Sequence, residues 1–458
     1  MHFGLEGIVG LVLYVSFIGA CLLSVFWRPI TGIYFLLPLI PLQTIRYRMN
    51  AFPLGGSMIG IILIAVAVGV LRQGGSVLPK TPWTRLLLIY MPYTFLTLCF
   101  GSFYLDKPFP LPGDPRFGVW QDYMTLPALL LMVAAIRPTP KQIKTMVLIM
   151  CFATLILNKG FWDMVSGRDF SAYNEELREG GNMGYAGTNG LAAFEAQFAT
   201  LMIALGSFER KFWFRAGYYF LGVFSAICLM YSLSRGGYAA FMVGWVYLGI
   251  VKQRKLLVFL VIFLLTWAGL VPQAVQQRVL MSYDKQSGKL DHSAETRLEL
   301  WDDAFEVFKS SPIVGTGYNT YAYMHRNKGA YGGSAYYEDT HNIYVKVLLE
   351  TGIIGIFLFI WLLAKTFFTG FRLFWRGKDP FFASLGLGLS VWVLCAAVAN
   401  SFGDRWTFFQ VSGYMWVLAG LVSEALVLER ARAEKAAEEG EQAFQFDADG
   451  LASGHAPS

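Results

Sequence analysis

The sequence alternates between long apolar windows and short polar breaks along almost its whole length. Windows of roughly 18 to 22 residues, each able to cross a hydrocarbon core of about 30 Å, predict helices. They lie at 7–27, 30–45, 54–71, 83–104, 119–136, 143–162, 188–208, 214–233, 236–251, 255–272, 342–366, 382–402 and 406–427. The second is short and holds Pro38 and Pro41, so a re-entrant or tilted piece is the alternative there. The expected fold class is an all-α polytopic membrane protein of about 12–13 transmembrane helices. One long stretch departs from the pattern, the polar loop 273–341. It ends in Asp339-Thr340-His341-Asn342-Ile343-Tyr344, where the chain returns to apolar helix. A titratable side chain at a membrane surface is costly to place without use, so this junction is the first candidate for chemistry.

The pattern divides the chain into four parts. Residues 1–272 form a bundle of the first ten spans, 273–341 a loop with an amphipathic helix, 342–428 the C-terminal spans, and 429–458 a charged tail. The tail reads as a helix extension fading into disorder. Composition agrees with the pattern. Hydrophobic residues make up 55% of the 458 positions and charged residues 15%, with a mean hydropathy of +0.47. A soluble domain carries about 25% charged residues, so a soluble enzyme is excluded. The net charge of +6 sits in short loops between spans and gives no nucleic-acid signal. The five cysteines (Cys21, Cys99, Cys151, Cys228, Cys395) lie in apolar windows without CxxC spacing, so neither a disulfide framework nor a metal site is expected. Residues 1–7 lack a basic segment, and the first window reads as a retained span.

Charge also sets an expected orientation. Arg72/Lys80/Arg85, Arg137/Lys141/Lys144, Arg210/Lys211/Arg215, Lys252/Arg254/Lys255 and Arg372/Arg376/Lys378 fall at alternate loops, which places those loops in the cytoplasm. Arg46/Arg48 conflicts with this if the second window crosses fully. The loops 105–118, 159–187, 273–341 and 401–405 then face outward. No internal repeat is visible, which disfavours the repeat-built transporter folds.

Four segments converge on that outer face. Ser232-Leu233-Ser234-Arg235-Gly236-Gly237 places a permanently charged guanidinium at a span junction, where it needs water or an anion. A snorkelling arginine is the plainer reading; the packed serine and glycine context favours phosphate binding. In 293–308, Leu298, Trp301, Phe305 and Phe308 recur at helical spacing, with Ser293 as N-cap and Ser311-Pro312 as terminator. Arg297 and Trp301 share one face of this helix, which otherwise reads as interfacial. Gly315-Thr316-Gly317-Tyr318-Asn319 is either a structural turn or a source of backbone N–H groups for an anion. In Thr340-His341-Asn342-Ile343-Tyr344, a neutral imidazole suits a general base, oriented by Glu338 or Asp339; the alternative is a capping histidine. Asp404-Arg405, Asp163, Arg168, Glu175 and Glu176 read individually as solvated loop charges. HExxH, a Walker-type loop and a Gly-x-Ser-x-Gly elbow are all missing from the sequence.

In order, these pieces are Ser-x-Ser-Arg-Gly at 232–236, Arg-x-x-x-Trp at 297–301, Ser-Pro-x-x-Gly-x-Gly at 311–317, Thr-His-Asn-x-Tyr at 340–344 and Glu-x-Gly-x-x-Gly at 350–355. Together they resemble the O-antigen ligase and Wzy-type polymerase superfamily. Gly187-Thr188-Asn189 is similar to the family's short asparagine motif. The resemblance implies a metal-independent, cofactor-free, inverting glycosyltransferase in the bacterial inner membrane with its site facing the periplasm. Its donor would be a glycan on undecaprenyl diphosphate. Its acceptor would be a hydroxyl of lipid A core, of a second glycan or of a protein. His341 would be the base, and Arg235 and Arg297 would hold the diphosphate, with membrane lipids as surroundings. Trp301, Tyr318, Asn319, Asn342, Tyr344, Asn189 and Arg405 are the expected substrate-binding residues. Chemically the match is sound, because guanidinium forks fit the charge that develops on a leaving phosphate. A ligase is favoured, with a Wzy-type polymerase as the alternative. A flippase of lipid-linked sugars is the rival of another class, kept open by Glu195 and Glu350 within spans.

Overall fold

The computed structural model describes residues 5–281, 292–327 and 340–453. In chain order the helices are α1 (Leu5–Phe26), α2 (Ile30–Leu39), α3 (Gln43–Tyr47), α4 (Met58–Arg72), α5 (Thr84–Tyr104) and α6 (Pro115–Ala135). Next come α7 (Pro140–Val165), α8 (Gly187–Gly206), α9 (Phe212–Tyr231), α10 (Arg235–Val251), α11 (Lys255–Leu270) and α12 (Gln273–Leu280). The chain closes with α13 (His292–Phe308), α14 (Tyr321–Asn327), α15 (Ile343–Arg376), α16 (Pro380–Asn400) and α17 (Phe409–Ser453). No strand occurs among the described residues. The chain is an all-α, multi-pass membrane protein.

Each predicted window coincides with a helix except the second, which is split into α2 and α3 at Ile40-Pro41-Leu42. Nine helices among the described residues are long and apolar enough to span alone, and the pair α11–α12, bent by 113°, makes up to ten. The expected 12–13 exceeds this because α2 is short, α10 has 17 residues, and α8 carries Glu195 and Gln197 within the protein interior. Several helices start earlier than their apolar windows, because a polar cap followed by proline lies outside the hydrophobic run. Asp114-Pro115, Thr139-Pro140 and Asp379-Pro380 open α6, α7 and α16, each cap accepting from a backbone N–H of the first turn.

The core is built around α8, buried from Gly190 to Gly206 and packed against α9, α10 and α16. Small residues permit this closeness, as between Gly237 of α10 and Ala192 of α8, where an added Cβ on Gly237 would lie 2.6 Å from the Ala192 side chain. Glu195 is enclosed there. The Asn158 amide fits its surroundings when it donates to Glu195 at 2.7 Å and accepts from Ser225 at 3.0 Å, tying α7, α8 and α9 together.

The two ends of the bundle differ in charge placement. At one end Lys144 lies over Phe381, Lys252 over Phe208, and Lys378 donates its backbone N–H to Glu429, gathering the basic loops. The opposite end carries α3, the 175–186 turns, α12–α14 and the 401–408 turn, joined by side-chain contacts. Arg46 belongs to that second end, which explains its conflict with the charge rule. It is buried, with its guanidinium 5.1 Å from the centre of the Phe409 ring, and so is part of the packed protein rather than a loop charge. The tail continues as helix to Ser453.

Candidate functional site

Thr340, His341 and Asn342 form a tight entry to α15. Asn342 is its N-cap, accepting from the N–H groups of Tyr344 at 2.9 Å and Val345 at 3.3 Å. The histidine therefore does not cap the helix. Thr340 is fully buried; its hydroxyl donates to the Asn342 carbonyl, and its own carbonyl accepts the Trp301 indole N–H at 2.8 Å. Ile343 donates its N–H to Gly403, and the Tyr344 hydroxyl donates to Ala397. Held on both sides, His341 takes φ +51, the left-handed region that costs a non-glycine residue about 1 kcal/mol. Its expected orienting partners, Glu338 and Asp339, lie outside the described residues. Asn342→Ala should destabilise the protein by about 1 kcal/mol while Asn342→Asp should not. Thermal unfolding in detergent checks this, and an unchanged midpoint for the alanine variant would remove the cap from the account.

The Gly-x-Gly turn does not present free N–H groups. Thr316 and Gly317 donate theirs to the carbonyls of Leu349 and Glu350, and Gly315 donates to Ser311. Glu350 itself occupies the place an anion would take, accepting from the N–H of Asn319 at 2.9 Å and of Tyr321 at 3.4 Å. The turn is thus a structural clasp. Its counterpart is Gly352, which breaks α15 at φ +66, so that Ile353 can donate to the Pro312 carbonyl. Tyr318 is buried and stacked on Tyr123, with 6.3 Å between centroids. Burial lifts its phenol well above the ordinary range, and it is a neutral hydroxyl at physiological pH.

A cleft beside the first turns of α15 is lined by Tyr123, Tyr318, Asn319, Lys346, Glu350 and Trp406. Lys346 pairs with Asp404 at 2.7 Å, and the other oxygen of Asp404 takes Arg405 at 2.7 Å. Asp404 is buried. Reading Asp404-Arg405 as solvated loop charge is corrected by this arrangement: the pair ties α15 to the 401–405 turn.

On the other side of that turn stands α10. A Cβ on Gly236 would meet the Phe402 side chain at 3.0 Å, and Ile343 bonds to Gly403, so the chain just after Arg235 and the chain just after His341 both touch Phe402-Gly403. Leu233 takes φ +56, which turns the chain sharply into the helix. The Ser234 hydroxyl donates to Asn189 at 2.9 Å and leaves the α10 N-terminus without a side-chain cap. Asn189 also accepts from Arg178 at 3.1 Å. Glu175 bridges Arg178 at 3.1 Å and Arg278 at 3.5 Å and accepts from the Tyr173 hydroxyl. Burial alone would raise the Glu175 carboxyl, but Tyr173, Arg178 and Arg278 together hold it below the usual range. Burial and the Glu175 carboxylate push the Tyr173 phenol up to about 12. Glu175 is therefore not a merely solvated loop charge.

Helix α13 forms where expected, beginning one residue before Ser293. Its buried face differs from the expected stripe. Ala304 is buried against Tyr321 and Leu349, and Leu300 is buried with its carbonyl accepting from the Tyr321 hydroxyl, whereas Leu298 and Phe305 are 46% and 43% exposed. Packing on α14 and α15 selects the first face, and the second points away from the protein. Arg297 stands one turn before Trp301, whose indole reaches the residue preceding His341.

Of six non-glycine residues with positive φ among those described, Leu233, Asn319 and His341 fall in three of the four motif segments. Strained backbone of this kind persists where surrounding contacts over-determine it, and it gathers at functional sites. Residues 220–360, which contain all three, match the model of the O-antigen ligase family (Wzy_C). This segment is similar to the O-antigen ligase family. A curated relative, the exopolysaccharide production protein ExoQ of Rhizobium meliloti (strain 1021), is 32% identical over 97 residues. That alignment spans 20% of this chain and 22% of the relative's length.

Within the family-matched segment, the structure bonds Trp301 to Thr340, the residue before His341, and brings the Arg235 and His341 segments to the same Phe402-Gly403 turn. Asn189 and Tyr344 each reach a neighbouring element through the contacts above, Asn342 caps α15, and Arg405 pairs with the adjacent Asp404. Arg178, Arg278 and Lys346 carried no role in the sequence, since Arg178 and Arg278 stand outside any motif and reach the site only through folding. Lys346, four residues before Glu350 on α15, was the one with a readable signal.

Proposed function

We propose that the protein transfers a glycan from a lipid diphosphate carrier to an acceptor hydroxyl, at the periplasmic face of the bacterial inner membrane. The observation that carries this reading is the meeting of the Arg235 and His341 segments across the Phe402-Gly403 turn, within the family-matched region. The acceptor O–H proton passes to His341 while the acceptor oxygen bonds to the anomeric carbon. The bond from that carbon to the diphosphate breaks, and its electron pair leaves on a phosphate oxygen. Arg235 and Arg297 bind that oxygen's growing charge, which a divalent metal supplies in many glycosyltransferases. A single displacement inverts the anomeric centre. The carrier is undecaprenyl diphosphate, and the acceptor is a lipid A core, a glycan or a protein hydroxyl.

A polymerase is the second reading, favoured by the likeness to an exopolysaccharide production protein. Purified protein, a lipid-linked glycan and each acceptor class separate the two. A single mass increment on an acceptor supports ligation, a ladder supports polymerisation, and no product in any combination overturns the proposal. The rate should be unchanged after chelation with EDTA; a loss restored by a divalent cation would overturn the metal-independent step.

A further inference from the structure

The cluster of Arg178, Arg278 and Glu175 lies outside every motif, yet it adjoins Arg235. Arg178 is tied to Asn189, whose oxygen also takes the hydroxyl of Ser234, the residue just before Arg235. Arg278 is within electrostatic range of Arg178, Arg235, Glu175 and Tyr173, and its guanidinium lies 4.9 Å from the Tyr173 ring centre. Three cations are thus drawn together from three distant stretches of chain, with Glu175 bridging two of them. Like charges repel, and Glu175 between Arg178 and Arg278 offsets that repulsion for this pair.

The cations and the anion are not equally fixed. The Arg178 and Arg278 side chains are 21% and 11% exposed, and the Nε of each is buried without a hydrogen-bond partner among the described residues. Glu175 is 65% exposed and sits on a three-residue turn, Glu175–Leu177. Its two carboxylate oxygens each meet one guanidinium, the contacts that two oxygens of a phosphate would make. The α10 N-terminus next to it, whose cap side chain is turned to Asn189, adds partial positive charge.

We propose that Arg178 and Arg278 join Arg235 in one cradle for the carrier diphosphate, and that Glu175 is a resident counter-anion which the diphosphate displaces. The proposal rests on the reading of Arg235 as a diphosphate ligand. A diphosphate carries more negative charge than one carboxylate and presents more oxygens, so it wins the exchange. When it leaves, Glu175 returns and keeps the guanidiniums paired. The device lowers affinity for diphosphate and speeds release of the spent carrier.

The test uses the full chain in detergent, with farnesyl diphosphate as probe, farnesol as its uncharged control and inorganic pyrophosphate as the free-anion arm. Arg178→Gln and Arg278→Gln should each weaken farnesyl diphosphate binding about tenfold. Glu175→Gln, which keeps shape and removes charge, should tighten it about threefold or more, with the gain shrinking as salt is raised. Farnesol binding should not respond. Unchanged or weaker binding in Glu175→Gln would overturn the counter-anion role and leave a structural latch. If Arg235→Gln loses binding while the Arg178 and Arg278 variants keep it, the cradle is overturned and the proposed function stands. If none of the three matters, the reading of Arg235 itself falls. Should either glutamine variant fail to fold, the lysine variant is used. It keeps the charge but not the fork and should still bind severalfold more weakly; full affinity there would overturn the cradle.

Discussion

His341→Ala is expected to lower glycan transfer by about two to four orders of magnitude, the range that a positioned general base contributes. The protein should insert and bind the lipid diphosphate as before, because Asn342 caps α15 and the Thr340 carbonyl accepts from Trp301. His341→Gly makes the same point more sharply. At φ +51 the histidine backbone is strained and glycine is not, so the glycine variant should be at least as stable as the parent and just as inactive. Single-turnover transfer and thermal unfolding on the two variants are the measurements. Wild-type turnover in either would end the role of His341 as base, and a large loss of stability would mean that its importance is architectural.

Gly352→Ala should have the largest effect on folding. A Cβ there would stand 2.2 Å from the Ile313 carbonyl oxygen, backbone against backbone, at φ +66. Neither side can move, because Ile353 bonds to Pro312 and Thr316 to Leu349 on either side of the clash. A cost of about 4 kcal/mol or more is the scale for such a forced overlap, enough to deplete a marginally stable chain. Gly113→Ala is the control: it too has positive φ, at +102, but open space around it, so only local strain of about 1 kcal/mol applies. Membrane-inserted, monodisperse yield compares them. Equal yields would show that the clasp between 312–321 and α15 bends where the structure makes it rigid.

Much of the architecture could be read from the chain because hydrophobic windows long enough to cross a bilayer have few other uses. Helix α13 was readable for a related reason, its apolar spacing, though not which of its faces is buried. That depended on where Leu349 and Tyr321 stand, and no local pattern encodes it. The Thr340–Tyr344 segment drew notice through its one titratable residue, but its internal division of labour came only from geometry. Asn342 caps, Thr340 and Tyr344 anchor, and His341 is left between them. Gly315 and Gly317 show the opposite limit. Their spacing resembles an anion-binding turn, while the actual partner of the following N–H groups is Glu350, from a span that begins more than twenty residues later. Charges were hardest to place. Arg46, Glu175 and Asp404 all look like loop residues in sequence, and each is drawn into a packed or paired setting by chain that is remote from it.

The bond from Ile343 to Gly403 has a consequence for biosynthesis. Every motif of the family-matched segment has been synthesised by residue 360, yet the entry to α15 lacks its anchor until the 401–405 turn follows. That turn in turn depends on α16 and α17, the most enclosed of the spanning helices. A nascent chain carrying all the recognisable chemistry would therefore still have an unfinished histidine loop. Completion of α16 and α17 is what finishes this loop, so a half-made chain lacks the arrangement proposed for transfer.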